Sequence, residues 1–227
     1  MLDFNKHRTI MFSIIKDIAH STLSAQLMFK WWTLCYFLYN LQRFSTDLDF
    51  DYTGTENPMP ILRKILQNYW TIKDEYEKQR TYFFLLDYGA HTHNIKIEIS
   101  KKKSAHDTYE IVNFYGFDLR AMERSCLFAN KLLALTRRRK NRDLFDIHHF
   151  LTQWRPINAS VLHDESGKSV PEFLNDLITQ LPEHYSSRTI LAEIGDLISP
   201  SQKEWMKTRI IDEVIGYIQV YLRGIPH

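Results

Sequence analysis

The sequence predicts an α+β chain in two parts: a mixed α/β lobe over residues 1–115 and a helical lobe over residues 116–227. A change of hydrophobic period is the first reason. Apolar residues recur every three or four positions near the N-terminus, alternate in short stretches between residues 45 and 115, and return to helical spacing from Asp118 onward. The second reason is punctuation, since Pro171, Pro182 and Pro200 divide the C-terminal part into short helices. The third is composition. With 44% hydrophobic and 25% charged residues, 227 residues can bury a substantial core.

Taken in order, residues from Lys6 to Tyr39 read as helical, with Ile10, Ile14, Ile15 and Ile18 at helical spacing. The run from Leu27 to Leu41 is apolar nearly all round, which predicts a buried helix. "STDLDFDY", "TYFFLLDYG", "HNIKIEIS" and "TYEIVNFYG" predict four strands. Between the first two, "PILRKILQNYWTIKDEYEKQ" predicts a helix opened by Pro60. "DLRAMERSCLFANKLLALTRRRKNRDLFDIHHFLTQW" predicts two helices with a break near Asn141. No internal repeat is evident, and seven Gly with seven Pro leave no low-complexity linker.

The net charge of +2 excludes a claim of nucleic-acid binding from the total; such a claim needs a local patch. Cys35 and Cys126 sit in apolar helical context and read as reduced core residues. The N-terminal stretch lacks an uninterrupted apolar core, and no 18-residue apolar span occurs, so a cytoplasmic protein outside the membrane is expected.

The chemistry concentrates in "FKWWTLCYFLYNLQRFSTDLDFDY", Phe29 to Tyr52. Asp47, Asp49 and Asp51 alternate with Leu48 and Phe50, so on a strand the three acids share one face. "IKIEIS" likewise puts Ile95, Ile97 and Ile99 on one face and Lys96 and Glu98 on the other. If these strands are neighbours, Asp47, Asp49 and Glu98 converge, and carboxylates that converge repel unless a cation stands between them. Hard oxygen ligands in that number suit Mg²⁺ with phosphate oxygens as further ligands. The plainer reading is a solvated strand face with acids outward.

A helix, "RFSTDLDF" and a later "IKIEI" strand resemble the nucleotidyltransferase fold of the DNA polymerase β superfamily. More narrowly, the chain resembles the AbiEii/AbiGii (MenT-like) toxin family, whose members run F-K-G-G-T-x-L, a helix, then R-x-S-x-D-x-D-F. The family's later signature, K-L-x-A-L followed by R-D-L-x-D, is matched by "NKLLALTRRRKNRDLFDIHHFL", Asn130 to Leu151. The resemblance implies transfer of a nucleotide from an NTP to the 3′ end of a tRNA by the toxin of a toxin–antitoxin pair, with a cognate antitoxin protein as partner. It implies that Asp47 and Asp49 hold Mg²⁺ and that Glu98 is a third ligand or takes the proton of the attacking hydroxyl. It further implies that the helical lobe completes the active site, with Lys131 on the NTP phosphates and Asp146, with Asp143, orienting that lysine or the substrate. Lys30, Thr33, Arg43 and Ser45 fall at nucleotide-binding positions of the pattern. Without the family, Lys131 reads equally as a surface lysine, and Arg142 with Asp143 as a surface ion pair.

Trp31 and Trp32 stand where the family has Gly-Gly, which lets backbone approach a triphosphate. Adjacent helical residues face about 100° apart, so at most one indole can turn to the core. This departure leaves a second reading: a catalytically degenerate relative that binds RNA or an antitoxin. A protein hydroxyl as acceptor is a lesser alternative.

From Arg120 to Arg142 the chain carries Arg120, Arg124, Lys131, Arg137, Arg138, Arg139, Lys140 and Arg142 against Glu123 alone. Arg137, Arg138, Arg139 and Lys140 are the candidate RNA contacts, and "SKKKS" at residues 100–104 extends the run. A solvated helix end would look the same. "ESGKS" at Glu165–Ser169 lacks the glycine and leading strand of a phosphate loop. His91 and His93, and His148 with His149, lack further ligands for zinc and read as turn and helix-surface residues.

Overall fold

The computed structural model of the chain describes residues 3–89, 93–101 and 104–224. It divides into two compact units, one of Met1–Asn40 with Phe44–Met122, the other of Leu41–Arg43 with Glu123–His227.

The first unit is built on a sheet. Helix α1 (Phe4–Ala19) starts at Asp3, whose carboxylate accepts the Lys6 N–H at 3.0 Å, and it buries Ile10, Met11, Ile14, Ile15 and Ile18 along one stripe. The chain continues through β1 (Leu27–Lys30), α2 (Trp31–Leu38), β2 (Asp47–Tyr52), α3 (Met59–Leu66) and β3 (Thr71–Lys78). Then follow β4 (Thr81–Asp87), β5 (Asn94–Ser100), β6 (Tyr109–Phe114) and β7 (Phe117–Met122). Among the described residues the seven strands form one mixed sheet in the order β3-β4-β5-β2-β1-β7-β6. β2 lies parallel to β5 and antiparallel to β1, while β1 runs parallel to β7.

The four expected strands are present as β2, β4, β5 and β6. Three expectations fail. The helix read from Lys6 to Tyr39 is interrupted, because Leu27–Lys30 is a strand buried between β2 and β7. An apolar run buried on every side satisfies a central strand as well as a buried helix. The helix opened by Pro60 ends at Leu66, and "TIKDEYEK" pairs with β4 as β3. Residues from Asp118 to Met122 belong to β7, with Leu119 and Ala121 buried, so the sheet runs past residue 115.

The second unit is helical: α4 (Arg124–Arg138), α5 (Asn141–Thr152), α6 (Ala159–Ser166), α7 (Val170–His184), α8 (Pro200–Thr208) and α9 (Ile210–Arg223). The break near Asn141 is made by Arg139, left-handed at φ 51°, which ends α4. Ser169 with Glu172 and Ser199 with Gln202 form capping boxes that open α7 and α8. Pro171 and Pro200 sit in the first turns of these helices, but Pro182 lies inside α7 rather than between helices. Cys35 and Cys126 are buried free thiols. No described helix is long and apolar enough to cross a membrane.

One buried residue ties α1 to the start of β2. His7 is fully enclosed; its Nε2 lies 3.0 Å from the Thr46 carbonyl and its Nδ1 2.8 Å from the Tyr88 hydroxyl. Burial lowers the imidazole below its ordinary value, outweighing the Thr46 hydrogen bond and Asp47, and so keeps the ring neutral. A carbonyl only accepts, so Nε2–H donates to Thr46 and Nδ1 accepts from Tyr88. His7→Phe leaves the buried Tyr88 hydroxyl and the part-buried Thr46 carbonyl without the imidazole. It is expected to lower stability by about 2–3 kcal/mol, as read by urea denaturation.

Candidate functional site

The sheet register assembles a charged face. In the pairing of β1, β2 and β5, Lys30 stands opposite Asp49, Asp49 opposite Glu98, and Asp47 opposite Lys96. Directly paired residues project to the same face, so three carboxylates and two ammonium groups gather around the middle of β2. The other face carries Leu48, Phe50, Ile95, Ile97 and Ile99, all fully buried. The alternation is therefore as the sequence predicts, and the two acidic strands are neighbours.

Lysines separate the acids. Lys96 Nζ lies 3.4 Å from Asp47 Oδ2 and 3.3 Å from Glu98 Oε2. Lys30 Nζ lies 2.5 Å from Asp51 Oδ1, and the Tyr109 hydroxyl donates to Asp51 Oδ2 at 3.0 Å. Burial lifts Asp51 above its ordinary value despite Lys30 and Tyr109. Asp49, recessed between them, is pushed up to about 7, first by burial and then by Asp47, with Lys96 and Lys30 opposing. Burial alone would lower the Lys96 ammonium, but Asp47, Asp49 and Glu98 raise it above its ordinary value. The sequence placed Asp51 and Lys96 on this face but assigned neither a role.

The backbone beneath Asp47 is held from two sides. His7 takes the Thr46 carbonyl, and the Thr33 hydroxyl donates to the Asp47 carbonyl while contacting Ser45 Oγ at 2.9 Å. Thr33 and Ser45 are buried. Their hydroxyls are held inside the protein, where they fix the start of β2. Lys30, the third residue of that group, is engaged by Asp51.

Among the described residues, no set of three His, Cys, Asp or Glu stands close enough to hold a metal ion unaided. The chemistry of the face nevertheless fits a hard cation: its donors are carboxylate oxygens, and an ammonium already stands between two of them.

At the β1–α2 turn, Trp31 adopts φ +62°, a conformation that favours glycine. Its ring lies 5.5 Å from that of Trp32, and the Lys30 ammonium stands 5.6 Å over it. Trp32 is buried at 8% exposure while Trp31 is only half-buried, so one indole has turned to the core.

In the helical unit, Lys131, Asp143 and Asp146 are fully buried. Lys131 Nζ lies 2.5 Å from Asp143 Oδ1 and 3.0 Å from Asp146 Oδ2. Arg43 donates from Nε and Nη2 to the two oxygens of Asp146 at 2.7 and 2.8 Å, and Arg138 does the same to Asp143 at 2.6 and 2.9 Å. Burial lowers Lys131 to about 8 against the pull of Asp146 and Asp143. Asp143 falls below its ordinary value because Lys131 and Arg138 outweigh its burial. The surface readings of Lys131 and of an Arg142–Asp143 pair are thus replaced by an enclosed network in which Asp143 takes Arg138.

Part of the basic run is paired with carboxylates. Arg137 pairs with Glu165 at 2.7 Å, Arg138 with Asp143, and Lys140 with Glu193 at 3.0 Å, while Arg139 caps α4. Glu165 and Glu193 come from distant sequence, so counting charges along the run overstates its field. Lys102 and Lys103 of "SKKKS" and His91 of the histidine pair lie outside the described residues. His148 is partly buried, not a surface residue; its Nε2 lies 3.0 Å from Glu213, which also accepts from the Trp205 indole at 3.1 Å. "ESGKS" links two helices: Gly167 ends α6 and Ser169 caps α7.

The sheet and its acidic central strand define a nucleotidyltransferase fold, and solved structures agree. The chain is similar to JHP933 from Helicobacter pylori (TM-score 0.70, 20% identity, 98% of this chain and 93% of that one). It is also similar to a proposed nucleotidyltransferase of Helicobacter pylori (0.71, 20%, 100% and 99%). A third likeness is to MenT4, a nucleotidyltransferase toxin from Mycobacterium tuberculosis (0.60, 16%, 99% and 85%). Residues 13–196 match the family described as nucleotidyl transferase AbiEii toxin, type IV toxin–antitoxin system, and the chain belongs to that family. No curated protein sequence matches it.

The two charged clusters should respond oppositely to neutralisation. Asp49 titrates near 7 in the folded chain against an ordinary 3.8, so the folded state holds the extra proton between these values. In chelator, stability should fall by up to about 4 kcal/mol as pH rises from 4 to 7 and level off above; Asp49→Asn should remove that fall, seen by urea denaturation across pH. Asp146→Ala takes one of two carboxylates from Lys131 and the paired carboxylate from Arg43, and is expected to cost about 3–5 kcal/mol in the same assay.

Proposed function

We propose that this chain transfers a nucleotide from an NTP to the 3′ end of a tRNA, as the toxin partnered by a cognate antitoxin protein. The observation that carries the reading is the row of carboxylates around Asp49 on the central strand. Asp47 and Asp49 are the residues to hold Mg²⁺, with Glu98 beside them. When bound, Mg²⁺ neutralises charge that develops on the transferred phosphoryl group. The 3′-hydroxyl oxygen forms a bond to the α-phosphorus, and the bond from that phosphorus to the bridging oxygen breaks. Pyrophosphate departs with the electron pair, and Glu98 accepts the hydroxyl proton. Thr33, Ser45 and His7 keep Asp47 in place without touching the nucleotide. Lys96 balances the carboxylates before the cation arrives.

One observation favours the second reading, a blocked relative that binds RNA or antitoxin: Trp31 occupies a glycine-type conformation at the turn where a triphosphate would approach. The two tryptophans are not equivalent as test positions. Trp31→Gly relieves left-handed strain of about 1–2 kcal/mol at a half-buried site. Trp32→Gly would empty a core position, for which large-to-small changes cost about 3–5 kcal/mol.

The test is incubation of the protein with Mg²⁺, total tRNA and each α-labelled NTP in turn. Labelled tRNA from the wild type, lost in Asp49→Ala, is the expected result. Label only from Trp31→Gly would identify a blocked transferase, and label from neither would leave the binding-module reading in its place.

A further inference from the structure

We propose that Phe83 and Tyr76 form a stacking platform for a nucleobase beside the carboxylates; the inference rests on the nucleotidyl-transfer reading above. The row Lys30–Asp49–Glu98 does not stop at β5. Glu98 stands opposite Phe83 on β4, and Phe83 opposite Tyr76 on β3, so one line of paired residues crosses five strands. All five project to the same face as Asp49. Phe83 is partly exposed, as is Tyr76, and the opposite face of β4 carries Phe84 and Leu86 in the core.

The rings are built as a stack. Their centroids are 4.5 Å apart with the planes 8° from parallel. The Lys78 ammonium stands 4.4 Å over the Tyr76 ring. Phe83 covers one face of Tyr76, so Lys78 covers the other and closes the stack on the side of the sheet edge. The remaining aromatic face belongs to Phe83 and looks along the row toward Glu98. Strands are spaced about 4.8 Å apart, which places Phe83 roughly 10 Å from Asp49, two strands away. A nucleoside bridges that distance, with its base on the ring and its reacting oxygen or phosphate at the acids.

Stacking accepts any base, because every base has a π-face, and it needs no hydrogen-bond readout. The ligand class is therefore a nucleobase, supplied either by the NTP or by the terminal residue of the RNA acceptor. A pair that only braced the sheet edge would need apolar bulk and no ring, and that difference defines the test.

Full-length Phe83→Leu, Phe83→Trp and wild type are titrated calorimetrically, in Mg²⁺, with each NTP, with ribose 5′-triphosphate, and with an oligoribonucleotide bearing a free 3′-hydroxyl. Melting temperatures are read in parallel. Phe83→Leu is expected to weaken one base-bearing ligand by about tenfold or more, while ribose 5′-triphosphate is unaffected and Phe83→Trp binds like the wild type. Loss confined to NTPs puts the NTP base on the platform; loss confined to the oligonucleotide puts the acceptor base there. Unchanged affinity in Phe83→Leu overturns the platform alone, as does an equal loss in Phe83→Leu and Phe83→Trp, which marks a packing effect. A wild type that binds neither NTP nor oligonucleotide overturns the transfer reading and the platform together.

Discussion

Mutual repulsion among carboxylates aligned on one sheet face is the constraint around which the first unit is arranged. A strand that alternates Asp-Leu-Asp-Phe-Asp cannot place its apolar side chains in the core without placing its acids together. Parallel pairing with β5 then brings Glu98 to the same place. Lys30 and Lys96 arrive from the strands on either side of β2, and their ammonium groups make the arrangement tolerable in a folded chain. Even so, Asp49 keeps a proton well above the ordinary carboxylate range. The unit carries a standing demand for positive charge on that face.

The two units place charge by different means. In the sheet unit, neutral groups do the positioning: His7 and Thr33 hold backbone carbonyls, Tyr88 and Ser45 hold His7 and Thr33 in turn, and Asp47 and Asp49 above them retain contact with solvent. Neutral hydrogen bonds contribute modestly, but leaving one unmade is costly, so the strand is held by the penalty for moving. In the helical unit, the charges are themselves the scaffold. Two aspartates, each gripped by both nitrogens of an arginine, enclose a lysine with no exposure at all. Such a network is strongly coupled, and loss of any member is felt as folding before it is felt as chemistry. Activity loss on mutating Lys131 or Asp146 therefore needs a stability measurement beside it.

What could be read from sequence follows from period and burial. β2 and β5 alternate cleanly with one face in the core, and the spacing of their acids survives into three dimensions. β1 does not alternate, since Leu27, Met28 and Phe29 are all buried and run on into an apolar helix with no Gly or Pro between. β3 is an edge strand whose Lys, Asp and Glu residues have the composition of an exposed helix, and only its pairing with β4 makes it a strand. The site shows the same division. The positions of the acids were legible, but the ion pairs of Arg137 and Lys140 were not, because Glu165 and Glu193 reach them through helix packing that no local pattern records. Burial of Thr33 and Ser45 was hidden for the same reason.

The short crossing at Leu41–Arg43 has a practical consequence for anyone dissecting the molecule. These three residues leave the sheet unit and join the helical one, and Arg43 supplies both donors to Asp146. No single cut separates the units cleanly. A fragment beginning at Glu123 would omit Arg43, and Asp146 would keep only its contact with Lys131. A fragment ending at Met122 would carry Arg43 without its acid. Expression of either half calls for a permuted or grafted segment, and limited proteolysis between residues 40 and 44 would disturb both halves with one nick.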